Sequence, residues 1–285
     1  MELGVVTLSL GCLDFPSLLQ FLKDIGASTM ELSTADGVHN NTLDFTAEGR
    51  RAIADKVRSE GLSIVSLGGY SDFTIADPDA VQQQLEQLRW YCQLALDLDT
   101  RILRVMAGNP RPGLSKTEMV DNIISGFKAA TEVAEEYGVI FSLENHGTLI
   151  NDLDVMLQIV ESVGSPNFRV TLDTGNYCWA GRTIEEAYVF FEKMAPYTAN
   201  VHLKDFLTQP DRTVQFVPLG DGELDFGKVM EALRGVGYQG ALLCEYEGMG
   251  EPKELIAAGT FDEYVAQLKA GTKRSLDYMR LLIDA

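Results

Sequence analysis

Short runs of β-branched and other apolar residues recur eight times along this 285-residue chain, roughly 30 to 40 residues apart. They read GVVTLSL (4–10), STMELST (28–34), LSIVSLGG (62–69), RILRVMAG (101–108), VIFSLENHG (139–147), FRVTLDTGN (168–176), ANVHLKDF (199–206) and ALLCEYEG (241–248). Helical periodicity fills the gaps. In DFPSLLQFLKDIG, Leu18, Leu19, Leu22 and Ile25 share one face and Gly26 closes the segment. DAVQQQLEQLRWYCQLALDL, DNIISGFKAATEVAEEYG, NDLDVMLQIVESVG, TIEEAYVFFEKM and DFGKVMEALRGVG behave likewise, several with the Asp, Ser, Thr or Asn start and Gly stop of capped helices. A last helical segment spans about 261–283. Strand then helix, eight times over, predicts an α/β fold in which parallel strands close into a (β/α)8 TIM barrel. An open, doubly wound sheet usually carries a glycine-rich phosphate turn after its first strand, and SLGCLDFP contains no G-x-G-x-x-G. No linker rich in Pro, Gly or Ser divides the chain, so residues 1–285 read as a single domain.

In such a barrel the chemistry sits at the C-terminal ends of the strands. The fifth predicted strand ends in Glu144 and His146, the sixth in Asp173, the seventh in His202, and the eighth in Glu245 and Glu247. Side chains two residues apart share a face of a strand. Ser142, Glu144 and His146 therefore oppose Phe141 and Leu143, and Thr171 and Asp173 oppose Val170 and Leu172. Asn200, His202 and Lys204 oppose Val201 and Leu203, while Glu245 and Glu247 oppose Leu242 and Cys244. The apolar faces must meet the helix layer, so the polar faces converge on the barrel mouth. Three carboxylates and one imidazole suit a single divalent cation, Mn2+ or Mg2+ first, with Co2+ or Zn2+ also compatible. With no cation the carboxylates would repel, and at least one would take up a proton.

Other residues carry weaker signals. Arg104 shares a face with Met106 near the end of the fourth strand, placed to bind an anionic group or to pair with a neighbouring acid. Glu31, in the second strand, points into the barrel or outward with equal plausibility. Trp179, just past the sixth strand, is placed to wall a pocket, whereas Trp90 and Tyr91 read as packing residues. His39 and Arg111, both in loops, read as solvent-exposed.

The net charge of −19 disfavours nucleic-acid binding, which depends on Lys and Arg neutralising phosphates. The N-terminal MELGVVTLSL has no basic region before its apolar run, and no stretch reaches the roughly 20 apolar residues of a membrane span. Cys12, Cys92, Cys178 and Cys244 form no C-x-x-C pair and read as reduced thiols, the expectation for a cytoplasmic protein. The expected partner is a small molecule, with a homo-oligomer compatible.

The segments SLENHG, VTLDTGN, NVHLKD, PLGDGELDF and LLCEYEG together give the chain its resemblance to the sugar-phosphate isomerase/epimerase superfamily of xylose isomerase-like barrels, over nearly its whole length. The resemblance implies one metal held by Glu144, Asp173, His202 and Glu245, with Glu245 favoured over Glu247. It also implies that LGDGELDF (219–226) follows the seventh strand near the site. The chain departs from the pattern at Asn176, where many relatives carry a substrate-contacting His. The implied activity is that of a divalent-metal-dependent isomerase or epimerase acting on a keto-sugar or related polyol through an enediolate. Glu144 and Glu245 would be its acid/base pair, and His146, Asn176, Lys204, Arg104 and Trp179 its substrate-binding residues. A metal-dependent dehydratase or lyase of the same barrel family and a non-catalytic metal- or ligand-binding barrel are the alternatives. A multi-zinc DNA-repair endonuclease is disfavoured by the charge and by a total of three histidines. No glycine-rich phosphate cradle is evident, which favours an unphosphorylated carbohydrate.

Overall fold

Phe141 and Leu143, on the apolar side of the fifth strand, are fully buried, and so are Val170 and Leu172 beside them. This alternation lets each strand serve two layers, apolar residues against the helices and polar ones toward the axis. The computed structural model describes residues 1–248 and 259–284. Its barrel strands are β1 (Glu2–Val6), β2 (Thr29–Ser33), β3 (Ser63–Gly68), β4 (Ile102–Val105), β5 (Ile140–Glu144), β6 (Phe168–Asp173), β7 (Thr198–Leu203) and β10 (Ala241–Cys244). They close in the order β1-β10-β7-β6-β5-β4-β3-β2, every neighbouring pair parallel. The fold is a single-domain TIM barrel.

The outer layer comprises α1 (Phe15–Asp24), α2 (Ala47–Ser59), α3 (Pro78–Asp97), α4 (Lys116–Tyr137), α5 (Leu153–Val163), α7 (Ile184–Met194), α8 (Phe226–Gly235) and α9 (Phe261–Asp284), with a short α6 (Asn176–Trp179) after β6. The starts follow cap chemistry. Ser115 and Glu118 form a reciprocal capping box at α4, as do Thr183 and Glu186 at α7. Gly138 and Gly164 end α4 and α5 in the left-handed conformation that glycine adopts without a Cβ clash. Helix α2 is the least evident in the sequence, because AEGRRAIADKVRS buries only Ile53 and Val57 as apolar anchors. No helix among the described residues is long and apolar enough to cross a membrane.

Three segments depart from the sequence pattern. The run 4–10 leaves the barrel at Val6, and Thr7–Leu10 forms a 3-10 turn. Thr7 is drawn out of the strand because its buried hydroxyl accepts from Ser33 N (2.9 Å). The run 199–206 is not one strand. It breaks at Lys204, and β8 (Asp205–Thr208) pairs antiparallel with β9 (Val214–Val217) in a ribbon outside the barrel. The Asp205 carboxylate accepts from the backbone amides of Phe206, Gly220, Gly222 and Leu224, so it gathers both ends of segment 205–224. His39 is buried rather than exposed: its ring nitrogens lie 3.2 Å from Leu13 O and 3.2 Å from Thr7 Oγ1, and Phe15 packs against it.

One close helix-to-loop contact is at Gly126 of α4. A Cβ there would lie 2.4 Å from the ring of Phe73, which packs edge-on to Phe127, itself 4.8 Å from Phe168 on β6. Gly126→Ala should destabilise the protein by about 1–3 kcal/mol through overpacking, read as a lower urea midpoint with an unchanged slope.

Candidate metal centre

Four neighbouring strands, β5, β6, β7 and β10, bring Glu144, Asp173, His202 and Glu245 to one end of the barrel. Register makes this local. Asp173 pairs with His202 across β6 and β7, and His202 pairs with Leu243 across β7 and β10, two residues short of Glu245. All four side chains are buried, and each offers one ligand atom within 4.8 Å of the others. His202 Nδ1 lies 3.1 Å from Glu245 Oε2, 3.6 Å from Glu144 Oε1 and 4.0 Å from Asp173 Oδ2.

The backs of these groups are tied down and their fronts are not. Asp173 Oδ1 accepts from Gly175 N (2.9 Å) and Asn176 N (2.8 Å), Glu144 Oε1 accepts from Asn176 Nδ2 (3.1 Å), and His202 Nε2 lies 3.0 Å from Glu31 Oε2. Asp173 Oδ2, His202 Nδ1 and Glu245 Oε2 are buried without a hydrogen-bond partner; the 3.1 Å approach of Nδ1 to Glu245 is misdirected for one. Each such orphaned atom costs about 1–3 kcal/mol unless something satisfies it. A cation coordinated by these atoms would satisfy all three at once, and the oxygen-rich set with one imidazole fits a divalent ion. The contact with Glu31 sets the imidazole's role as well. A proton on Nε2 shared with Glu31 leaves the Nδ1 lone pair facing the carboxylates.

Asn145 locks the framework of two of these strands. Its Oδ1 accepts from Asp173 N (2.8 Å), while its Nδ2 donates to Asp173 O (3.0 Å) and Asn151 Oδ1 (3.0 Å). The ends of β5 and β6 are thereby held together beneath Glu144 and Asp173.

Electrostatics divides the carboxylates. Burial pushes the Asp173 carboxyl up to about 7, helped by Glu245 and Glu144 and opposed by Lys204 and His202. Burial acts the same way on Glu144, but the close approach of His202 and the charges of Arg104, His202 and Lys204 outweigh it and hold this group well below the usual range. Glu245 is likewise pulled down to about 2, burial being overcome by Lys204 and His202. His202 is pushed well above the ordinary imidazole value: burial opposes the charged form, and Glu31, Glu144 and Glu245 more than compensate.

The remaining predicted site residues fall into two groups. Arg104 is buried and turned onto the cluster, with Nε 3.3 Å from Glu31 Oε1 and 3.5 Å from Glu144 Oε2, and it donates to Gly69 O (3.2 Å). Asn176 braces Glu144, and Lys204 Nζ lies 3.4 Å from Asp173, 3.3 Å from Glu245 and 2.7 Å from Glu247. At the rim, His146 is exposed and stacks on the half-exposed Trp179, centroids 6.0 Å apart at 25°. Glu247 is also at the rim, its side chain 44% exposed against 6% for Glu245. Sequence reasoning left undecided the direction of Glu31, which is fully buried and accepts from Ser66 Oγ (2.8 Å) and Asn200 Nδ2 (2.9 Å). It missed Asn145, whose side chain serves backbone groups and so leaves no pattern of its own.

Protons and a cation compete for Asp173 and for His202 Nδ1. Both groups hold their protons more tightly than the free side chains do, so the competition extends up to neutral pH. Divalent-cation affinity should therefore fall as pH drops from about 8 to about 6, by up to roughly ten-fold per pH unit for each proton displaced, measured by titration calorimetry.

Comparison with known proteins places this geometry in a family. The sequence profile described as xylose isomerase-like TIM barrel matches residues 19–281. L-ribulose-5-phosphate 3-epimerase UlaE of Escherichia coli is 26% identical over 234 residues, covering 80% of each chain. Among solved structures, that of IolI protein with a bound zinc atom superposes with a TM-score of 0.77 at 17% identity, over 98% of this chain and 99% of that one. D-psicose 3-epimerase with D-tagatose, from Clostridium cellulolyticum, gives a TM-score of 0.76 at 16% identity, over 99% of both chains. With the profile running through all four clustered residues and nearly the full barrel, the chain belongs to the xylose isomerase-like TIM barrel family.

Proposed function

We propose that the protein is a divalent-metal-dependent isomerase or epimerase of a keto-sugar or related polyol. The observation that carries this reading is the set of three buried ligand atoms without a hydrogen-bond partner on Asp173, His202 and Glu245, with the Glu144 carboxylate completing the cluster and Lys204 as their nearby counter-charge. The sugar 3-epimerase names carried by UlaE and the D-psicose enzyme support the same class of chemistry. Glu144, Asp173, His202 and Glu245 would hold a divalent cation, which would supply Lewis-acid polarisation of a ketone oxygen and so acidify the neighbouring C–H.

The chain's own residues do the proton work. Glu144 and Glu245 stand at the two ends of the β5-β6-β7-β10 arc, so they address a substrate between them from different sides. Both are held in the ionised form at neutral pH, so each has a lone pair free to accept a proton. One takes a proton from the carbon next to the carbonyl. The other, after taking up a proton from solvent, delivers it to the opposite face and inverts that carbon, while the first later releases its own proton to solvent. Return of the abstracted proton to the adjacent carbon by the group that took it interconverts ketose and aldose. The Lys204 ammonium, buried and kept charged by Asp173, Glu245, Glu247 and Glu144 against the effect of burial, donates to the developing oxyanion. His146 and Trp179 form the rim against which the substrate chain rests.

Incubation with keto-sugars in D2O and Mn2+ or Mg2+ should incorporate deuterium at the carbon beside the carbonyl, and a chelator should abolish it. Neither exchange nor product with any ketose would remove proton transfer as the activity. Glu144→Gln and Glu245→Gln should each lower kcat by about 10²- to 10⁴-fold, whereas a barrel that only binds would keep its ligand affinity in both variants.

A further inference from the structure

Beside the cation cluster lies a cleft of about 310 Å³, at the lower end of small-molecule sites, among whose walls are Tyr70, Asp72, Gln84, Gln87, Asn109 and His146. It is linked to the proposed reaction centre by one neighbour in sequence and one route of contacts. His146 follows Glu144 by two residues, and the Tyr70 ring lies 4.9 Å from the Arg104 guanidinium, whose Nε is 3.5 Å from Glu144. A substrate reacting at Glu144 therefore extends its far end into this space.

The chemistry of the wall is neutral and amide-rich. Among the described residues lining it, none is Lys or Arg. The Gln84 side-chain oxygen accepts from Asp72 N (2.8 Å), which leaves its NH2 group to donate, and Gln87 and Asn109 add carboxamides that both donate and accept. The two guanidinium groups that touch its lining, through Tyr70 and Asp72, are committed elsewhere. Arg104 is held by Glu31, Glu144 and Gly69 O, and Arg111 binds Asp72 Oδ2 (2.6 Å) and Thr74 Oγ1 (3.1 Å). The one carboxylate in the wall, Asp72, is compensated by Arg111, so the pair offers no fixed positive charge to an anion. Hydroxyl groups, each a donor and an acceptor, match carboxamides, whereas a phosphate calls for fixed positive charge.

We infer that this cleft is the distal subsite of the substrate and that it takes an uncharged, hydroxylated carbon chain in preference to a phosphate ester. The inference rests on the isomerase or epimerase reading, and it separates this chain from UlaE, whose name specifies a 5-phosphate. The test pairs ketopentoses and ketohexoses with their own terminal phosphate esters on the metal-loaded protein, using titration calorimetry for binding and deuterium exchange for chemistry. The free ketose should bind at least about ten-fold tighter and show the higher kcat/KM. Gln87→Leu should raise the KM for the free ketose about five- to ten-fold with little change in kcat. Asp72→Asn, which releases Arg111, should shift the ratio of kcat/KM values toward the phosphate ester. Equal or tighter binding of the phosphate ester would overturn the inference while leaving proton transfer intact. A calorimetric preference for the free ketose without exchange would uphold the subsite and overturn only the reaction.

Discussion

The barrel mouth buries more negative charge than the chain neutralises. Glu31, Glu144, Asp173 and Glu245 are all buried there, and the permanent cations buried among them are Arg104 and Lys204. With a neutral imidazole on His202, two negative charges remain uncompensated in a low-dielectric space. The protein by itself lessens the imbalance by protonation, as the raised Asp173 and His202 values show. A cation of charge two would remove it without a proton and would satisfy the three atoms that lack a hydrogen-bond partner. The same imbalance that makes the cluster unfavourable in isolation makes it selective for charge, and the surrounding fold keeps it from relaxing.

That resistance comes from the layers beneath the ligand atoms. Glu31 receives Ser66, Asn200, His202 and Arg104, so the imidazole cannot rotate without stranding a buried carboxylate. Asn145 ties the ends of β5 and β6 through paired contacts with the Asp173 backbone. Geometry at the mouth is therefore a property of strand register, and register is set by the apolar faces packed on the helices.

Much of this was legible in the sequence because strands have a period of two. A single phase places Ser142 and Glu144 inward and Phe141 and Leu143 outward, and the same rule applied to Asp173, His202 and Glu245 brings four side chains to one point. What periodicity does not reveal is where a strand stops. The run 4–10 ends early because the Thr7 hydroxyl is needed by Ser33, and the run 199–206 breaks because Asp205 is recruited by amides up to nineteen residues later. His39 was misread for a related reason. A loop histidine is exposed by default, but its partners Leu13 and Thr7 belong to a distant part of the chain. The commitment of Arg104 to Glu31 and Glu144 depends on β2, β4 and β5 meeting across the barrel, information that no local pattern contains.

The β8–β9 ribbon shows how such a barrel can diversify. One carboxylate, Asp205, fastens both the departure and the return of segment 205–224, and Glu223 adds a second clasp through Thr208. Between those fastenings Phe216 reaches back to the centre, its ring 5.3 Å from the Lys204 ammonium. The ribbon tip around residues 209–213 lies outside both clasps, so a change of length there would leave the Asp205 and Glu223 fastenings in place.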